Sequence, residues 1–211
     1  MKVIATNIGT STTFQWNGKE EQTGIFKYPV DKPLFLGKTD VAKDTVIDRK
    51  HHAGVHKACY LFSADHYTYW KGKYPDLEWD WGMFGENLTI QGMDESLIRI
   101  GDVYKIGSAL VQVSQPREPC YKLGIRFKDQ SIVREFISYG YPGTYVRILV
   151  EGDVQREDEL ELMEQSKNPL TVKQIYELLF AKKKDPALVQ LAIDNSAFPE
   201  YKRERLKKYI G

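Results

Sequence analysis

Apolar and polar positions alternate over short distances in the first three quarters of the chain and follow a helical period in the last quarter. Up to about Met163, short runs rich in β-branched residues are broken by Gly, Pro, Asp and Asn, a pattern typical of a sandwich or barrel. The turn from Ile106 to Ala109 predicts a hairpin. The predicted strands are 2–8, 24–30, 45–48, 57–62, 87–90, 102–106, 109–114, 144–150 and 159–163.

Two helices are predicted to interrupt this β region. Residues 64–70 carry Tyr67 and Trp70 at an i, i+3 spacing, and residues 132–138 place their apolar side chains on one stripe. A third, short helix is expected to begin at Cys120 and run through Arg126.

Beyond residue 165 the sequence carries the residue types that commonly begin helices. Thr171 and Gln174 form a capping box, and the helix that follows is expected to end near residue 181. Asp185 and Pro186 are an N-cap and a proline at the first helical position. That second helix is expected to bury its apolar positions, and a third begins near Pro199. The buried set expected for the second helix is Leu188, Leu191 and Ala192.

These elements predict a mainly β protein of the α+β class with two units. Residues 1–164 would form the β domain and residues 165–211 a small domain of three helices. Three short helices bury little surface alone. They should pack on the β domain, on each other or on a partner subunit, so a homodimer is left open.

The charge balance removes one group of partners. The 211 residues contain 30 basic and 29 acidic side chains, a net charge of +1, so neither nucleic acid nor an anionic membrane is expected as a partner. Two cysteines are too few for a secreted disulfide scaffold. The N-terminus lacks the apolar core of a signal peptide, and no stretch is long and apolar enough to span a bilayer. A cytoplasmic location is therefore expected.

The segment 114–123 has the strongest chemical signal. Pro116 and Pro119 stiffen a loop that leads into Cys120. A helix start at this cysteine and the nearby Arg117 would both favour the thiolate. A thiolate there is a nucleophile or a soft-metal ligand. A buried structural thiol is the competing interpretation.

The segment 51–58 contains three of the four histidines. Small residues between them let backbone N–H groups approach an anion, and Lys57 adds a charge suited to phosphate. A merely polar loop is an equal alternative. A zinc site is a further alternative, with His52, His56 and either Cys59 or Cys120 as ligands.

The segment from Phe84 to Leu88 offers polar groups before a strand. Gly85 permits a tight turn, and Glu86 and Asn87 supply an acceptor and a bifunctional amide. As a bare pattern it predicts only a turn. The aromatic residues between 67 and 81 could form the floor of a pocket, but such residues more often belong to the hydrophobic core. The basic run 201–208 is typical of a solvated helix face.

Taken in order, these segments resemble the MOSC domain, which is named after the C-terminal domain of molybdenum cofactor sulfurase. The likeness extends to the YiiM-like subgroup and its C-terminal helical appendage, and so to nearly the whole chain. One departure is Ala53-Gly54-Val55-His56-Lys57, where the family usually shows Gly-Gly-Pro-Asp-Lys. The segments that carry the resemblance are 51–58, 84–88, 100–102, 114–120 and 143–147.

The resemblance implies a β-barrel that binds the molybdenum cofactor, with Cys120 as the catalytic residue and the ligand of the metal. It implies reduction of small N-oxygenated substrates such as N-hydroxylated bases, with electrons from a separate flavin or iron–sulfur protein. Pyridoxal phosphate is not required. His51 and His56 are candidates for proton delivery. The implied cofactor contacts are His52, Gly54, Lys57, Glu86, Asn87, Gln115 and Arg117.

Three other functions remain open at this point. Cys120 could carry a persulfide to a metal-cofactor target, which the same activated thiol would serve. The chain could be a non-catalytic binding module whose C-terminal helices dock a partner. The zinc protein described above is the third.

Overall fold

An eight-stranded mixed sheet forms the body of the protein in the computed structural model, which describes residues 1–47 and 54–210. The strands are β1 (Lys2–Gly9), β2 (Thr12–Trp16), β3 (Lys19–Thr23), β4 (Lys27–Pro29), β5 (Leu34–Leu36), β6 (Cys59–Ser63), β7 (Leu88–Gln91), β8 (Val103–Ile106), β9 (Ala109–Pro116), β10 (Thr144–Val150), β11 (Gly152–Val154) and β12 (Leu160–Glu164). The sheet order is β12-β8-β9-β10-β6-β7-β1-β4, and β6 and β7 are its parallel pair.

Six α-helices and a short 3₁₀-helix (Ala64–His66) accompany the strands in the described ranges. They are α1 (Tyr67–Lys73), α2 (Tyr121–Phe127), α3 (Ser131–Tyr139), α4 (Val172–Phe180), α5 (Pro186–Asp194) and α6 (Glu200–Lys207). None of the helices in this part of the chain has the length and apolarity needed to cross a membrane.

The strand ladders do not close into a complete barrel. The start of β1 approaches the start of β12 at an isolated bridge between Lys2 and Glu159 and at the hydrogen bond that Val3 N donates to Asp158 O, 2.9 Å. Two further backbone hydrogen bonds join the same segments, from Glu157 N to Val3 O at 2.8 Å and from Leu160 N to Met1 O at 2.9 Å. The mainly β, α+β class is confirmed, although the strand ladders of the barrel-like sheet do not close among the described residues.

Strand β6 shows why the sheet is buried on both faces. Side chains alternate across a strand, so Cys59 and Leu61 enter one core while Tyr60 and Phe62 enter another. The first core lies between the sheet and the C-terminal helices. The second is aromatic, with Trp70 of α1 fully buried in it.

The C-terminal helices begin as the sequence predicts. Thr171 Oγ1 accepts a hydrogen bond from Gln174 N at 3.2 Å, and Gln174 Oε1 accepts one from Thr171 N at 3.0 Å. In α5, Val189 and Ala192 are the buried residues, whereas Leu188 and Leu191 are only half-buried. The helices contribute to the same core as the sheet, and their status as a separate domain, residues 165–211, stays a prediction.

Several strand predictions differ from the structure. Residues 45–47 are not a strand, and Asp48 lies outside the described residues. The strand expected at 24–30 is reduced to β4. The hairpin of β2 and β3 and the ribbon of β5 and β11 were not predicted, and both pair apart from the main sheet.

Candidate cofactor site

A cleft opens where β3, β4, the turn before β7 and the loop after β9 meet. Its empty space is about 680 Å³ when the open mouth is included, within the usual range for small-molecule sites. Ile25, Phe84, Tyr60 and Tyr145 supply its apolar walls, and Cys120 is also among its lining residues. The cleft therefore combines apolar surface with a single sulfur donor among its described lining residues.

The described lining of the cleft is strongly cationic. Lys27, Lys57, Lys122 and Arg117 line it, against the single carboxylate of Asp44. Lys27 and Asp44 form an ion pair whose side chains are only 7% and 3% exposed. Because the remaining cations outnumber the carboxylate, the field in the cleft favours an anion.

Arg117 provides the most specific sign that the cleft suits an anionic ligand. The residue is 6% exposed, and its guanidinium lies 5.5 Å from the ring centre of Tyr60 and 5.4 Å from that of Phe136. Its Nη1 is buried and makes no hydrogen bond within the described residues. An unsatisfied buried cationic donor is costly, so the site fits an anionic group that Arg117 would bind.

Cys120 sits at the junction between a rigid loop and α2. It is the N-cap residue of that helix, with extended backbone angles, and its carbonyl accepts from Leu123 N at 2.9 Å. The side chain lines the cleft and the residue is half-buried. The thiol is therefore accessible from the same space as the cations, which a metal ligand or a nucleophile requires.

Glu86 faces away from the cleft. Its fully buried carboxylate accepts hydrogen bonds from Gly82 N (3.0 Å), Phe84 N (3.1 Å), the Tyr67 hydroxyl (2.5 Å) and the Thr89 hydroxyl (2.9 Å). Burial raises the pKa of Glu86, and these hydrogen bonds oppose the rise. In this structure Glu86 builds the turn before β7.

Asn87 both lines the cleft and supports it. Its amide donates to Asp44 Oδ2 at 2.9 Å, and its Oδ1 accepts from Tyr60 N at 3.2 Å. Asn87 thereby fixes the carboxylate that holds Lys27. This support leaves the amide few free hydrogen-bonding positions for a ligand.

Gln115 and Gly54 also lie outside the lining of the cleft. Gln115 is fully buried and donates to the carbonyl of His56 at 3.1 Å. Gly54 has a φ of 98°, and its carbonyl accepts from Lys57 N at 2.8 Å. Both order the segment that carries Lys57. His51 and His52 lie outside the described residues.

The predicted contacts thus divide into two groups in space. Lys57, Asn87, Arg117 and Cys120 come together at the cleft, whereas Glu86, Gln115 and Gly54 lie behind it. Sequence reasoning missed Lys27, Asp44 and Lys122. Lys122 is two residues from Cys120 and could have been found, but only the fold brings Lys27 next to Asp44.

The structure offers no zinc cluster in the part of the chain it describes. No group of three His, Cys, Asp or Glu side chains there is placed to hold a metal ion. Cys59 is in the core, where burial raises the pKa of its thiol. His56 Nδ1 lies 2.7 Å from Arg147 Nη2, so this imidazole faces β10 and is not among the residues that line the cleft.

His56 predicts a dependence of stability on pH. Burial and the nearby Arg147 lower the pKa of His56 below 6.5, so the unfolded chain takes up this proton first as pH falls. The free energy of unfolding should therefore decrease as pH falls below 6.5, and less so in a His56→Gln variant. Urea unfolding at pH 7 and at pH 5.5 measures the difference. Equal losses in both proteins would contradict it.

The comparisons with known proteins identify the family of this chain. The MOSC domain family model matches residues 48–161, just over half of the chain. The uncharacterized protein YflK of Bacillus subtilis is 32% identical over 206 residues, 98% of this chain and 93% of YflK. The chain therefore belongs to the MOSC domain family.

Two further comparisons concern YiiM and a fungal reductase. The crystal structure of YiiM from Geobacillus stearothermophilus superimposes with a TM-score of 0.83 at 28% identity, covering 100% of this chain and 99% of that one. A Gibberella moniliformis protein named "Reductase" is 36% identical over 151 residues, 70% of this chain but 27% of its own length. Within the family, the chain is YiiM-like.

Proposed function

We propose that this protein binds the molybdenum cofactor in the cleft, with Cys120 as the protein ligand of the metal, and reduces N-hydroxylated compounds. The observation that carries the proposal is the pairing of the accessible Cys120 with the buried, unsatisfied Nη1 of Arg117 on one cleft. Membership of a family named after molybdenum cofactor sulfurase supports it. So does the relative named as a reductase.

The residues present suit the cofactor chemically. The cofactor is a pterin with a phosphate and a metal held by sulfur, so it needs cations, an apolar surface and a thiolate. Arg117, Lys57 and Lys122 supply the cations, and Tyr60 and Tyr145 supply aromatic surface. Guanidinium and ammonium groups are both established phosphate binders. These groups would bind and orient the cofactor and exclude water from its buried side.

When bound, the cofactor supplies a two-electron redox centre that can accept oxygen. The balanced reaction is R–NHOH + 2 e⁻ + 2 H⁺ → R–NH₂ + H₂O, in which the N–O bond breaks and oxygen leaves as water. The electrons would come from a separate flavin or iron–sulfur protein, because a cluster takes four cysteines as a rule and this sequence has two. As the ligand of the metal, Cys120 would hold it in the cleft, which a substrate can enter from solvent.

Metal analysis of protein made in a host that produces the cofactor tests this proposal. Stoichiometric molybdenum is expected in the wild type, and most of it should be lost in Cys120→Ser. Cys59→Ala is the matched control, since it removes the other thiol from the core and should retain the metal. The wild type and Cys59→Ala, but not Cys120→Ser, should convert an N-hydroxylated base to the amine when a reductant is supplied.

Two outcomes would contradict the proposal. Zinc in place of molybdenum in both the wild type and Cys120→Ser would assign the site to another metal. A wild type without molybdenum from a competent host, with an additional sulfur on Cys120 in its mass spectrum, would instead favour the sulfur carrier.

A further inference from the structure

A nearly buried lysine connects the C-terminal helices to the loop of Cys120. Lys202 of α6 is 6% exposed, and its Nζ lies 2.5 Å from Glu118 Oε1. Glu118 is two residues before Cys120, between Arg117 and Pro119. The ion pair therefore connects α6 to the short segment that carries Arg117 and Cys120, two residues that line the cleft.

The same C-terminal segment also contacts the loop that carries Lys57. The carbonyl of Ala197, just before α6, accepts from Arg147 Nη2 at 2.6 Å, and that nitrogen lies 2.7 Å from His56 Nδ1. His56 directly precedes Lys57, which lines the cleft. The two loops that carry Cys120 and Lys57 are thus both held from the segment around residues 197–202.

The contact between Lys202 and Glu118 is an ion pair with a nearly buried lysine, although an apolar contact could stabilise the same position. Burial lowers the pKa of Lys202, and the neighbouring carboxylate of Glu118 opposes this effect. A well-packed apolar side chain could stabilise such a position equally well. What an ion pair adds is a fixed direction, and Pro116 and Pro119 stiffen the loop on either side of Glu118. Holding the carboxylate therefore sets the position of the whole loop.

We propose that Lys202 is a positioning residue that, through Glu118, holds the thiol of Cys120 at the cleft and makes the C-terminal helices part of the cofactor site. The claim that the C-terminal helices belong to a cofactor site rests on the proposed function. The position of the thiol does not, so it is tested separately on protein made without the cofactor.

The test measures the rate at which iodoacetamide alkylates Cys120, read by peptide mass, in cofactor-free Lys202→Met and Glu118→Gln. Release of the loop should make alkylation faster in both, by roughly tenfold, since a hydrogen bond to a charged group is worth about that factor at about 1.4 kcal/mol per tenfold. If charge alone mattered, the two variants would change in opposite directions. Loss of the lysine disfavours the thiolate and would slow alkylation, whereas loss of the carboxylate favours the thiolate and would speed it.

Matched variants complete the design. Lys207→Met removes a lysine of the same helix that pairs with Glu204 on the surface, and it should react like the wild type. The exchange of both charges, Lys202→Glu with Glu118→Lys, should restore the slow rate. Should Lys202→Met fail to fold, Lys202→Gln takes its place, because loss of the lysine is the change for which charge effects and release of the loop predict opposite rates. Rates that change in opposite directions, or a wild-type rate in Glu118→Gln, would overturn the proposal.

The alkylation result is independent of the metal. Molybdenum content, measured in parallel on loaded protein, should fall in Lys202→Met and Glu118→Gln and recover in the exchanged variant. A wild type without molybdenum would remove the proposed function, while faster alkylation in both variants would still support the role of Lys202 in placing Cys120.

Discussion

Replacing Glu86 by alanine is expected to lower the free energy of unfolding by about 3–5 kcal/mol, the range for breaking a buried hydrogen-bond network. The carboxylate is fully buried and accepts from two backbone N–H groups and from the hydroxyls of Tyr67 and Thr89. The hydroxyls can turn to other acceptors, but the N–H groups of Gly82 and Phe84 are fixed by the turn. Urea unfolding at pH 7, followed by tryptophan fluorescence, measures the loss.

Two further variants separate the hydrogen bonds from the loss of side-chain volume. Glu86→Gln keeps one carbonyl acceptor and nearly the same volume, so its loss should be intermediate. Glu20→Ala removes an exposed carboxylate from β3 and should leave stability within about 0.5 kcal/mol of the wild type. A Glu86→Ala protein as stable as Glu20→Ala would show that the network does not hold the turn.

The sequence predicted best those features that depend on near neighbours in the chain. The capping box of Thr171 and Gln174 and the N-cap of Asp185 both form, and Cys120 is followed by a helix. In each case the donor and the acceptor are within three residues of each other. Strand β10 has the predicted bounds because its flanks, Gly143 and Glu151, end the β-branched run on both sides.

The elements that the sequence missed lack such local signals. Strand β3 reads Lys-Glu-Glu-Gln-Thr, which carries no apolar alternation, and it pairs only with β2. Strands β5 and β11 are three residues each and stabilise each other across a separation of more than one hundred residues. Their existence depends on tertiary contact, which outweighs local propensity in short strands.

The sequence was also limited in predicting which side chains of the site reach the cleft. The motif of Phe84 to Leu88 drew attention to Glu86 and Asn87 together, but they have different surroundings. Asn87 reaches the cleft, while Glu86 folds back on its own turn. A pattern of residue types cannot distinguish a carboxylate that binds a ligand from one that satisfies the backbone. Lys27 and Asp44 are 17 residues apart in sequence, so their ion pair had no signal in any one motif.

Replacing Arg117 by methionine should have opposite effects on binding and on stability. The guanidinium is buried with an unsatisfied Nη1, so an apolar side chain of similar length should leave the cofactor-free fold as stable as the wild type or more stable. Affinity for the anionic cofactor should fall about ten- to hundredfold, the equivalent of a hydrogen bond to a charged group. Molybdenum and oxidised-pterin content and the urea midpoint of cofactor-free protein measure the two effects.

Arg126→Met provides the matched control, because Arg126 is also buried, at 8% exposure, but does not line the cleft. Its guanidinium stacks on Phe26 and Tyr28 and donates to the Tyr28 hydroxyl at 2.8 Å. This variant should lose stability by about 1 kcal/mol and keep the cofactor. Arg126 Nε is also buried without a hydrogen bond to any described residue, so the control removes an unsatisfied nitrogen that lies away from the cleft. Cofactor retained in Arg117→Met and lost in Arg126→Met would mean that Arg117 does not mark the anion site. Because both substitutions remove one buried arginine, a loss of cofactor confined to Arg117→Met would be explained by the position of Arg117 at the cleft.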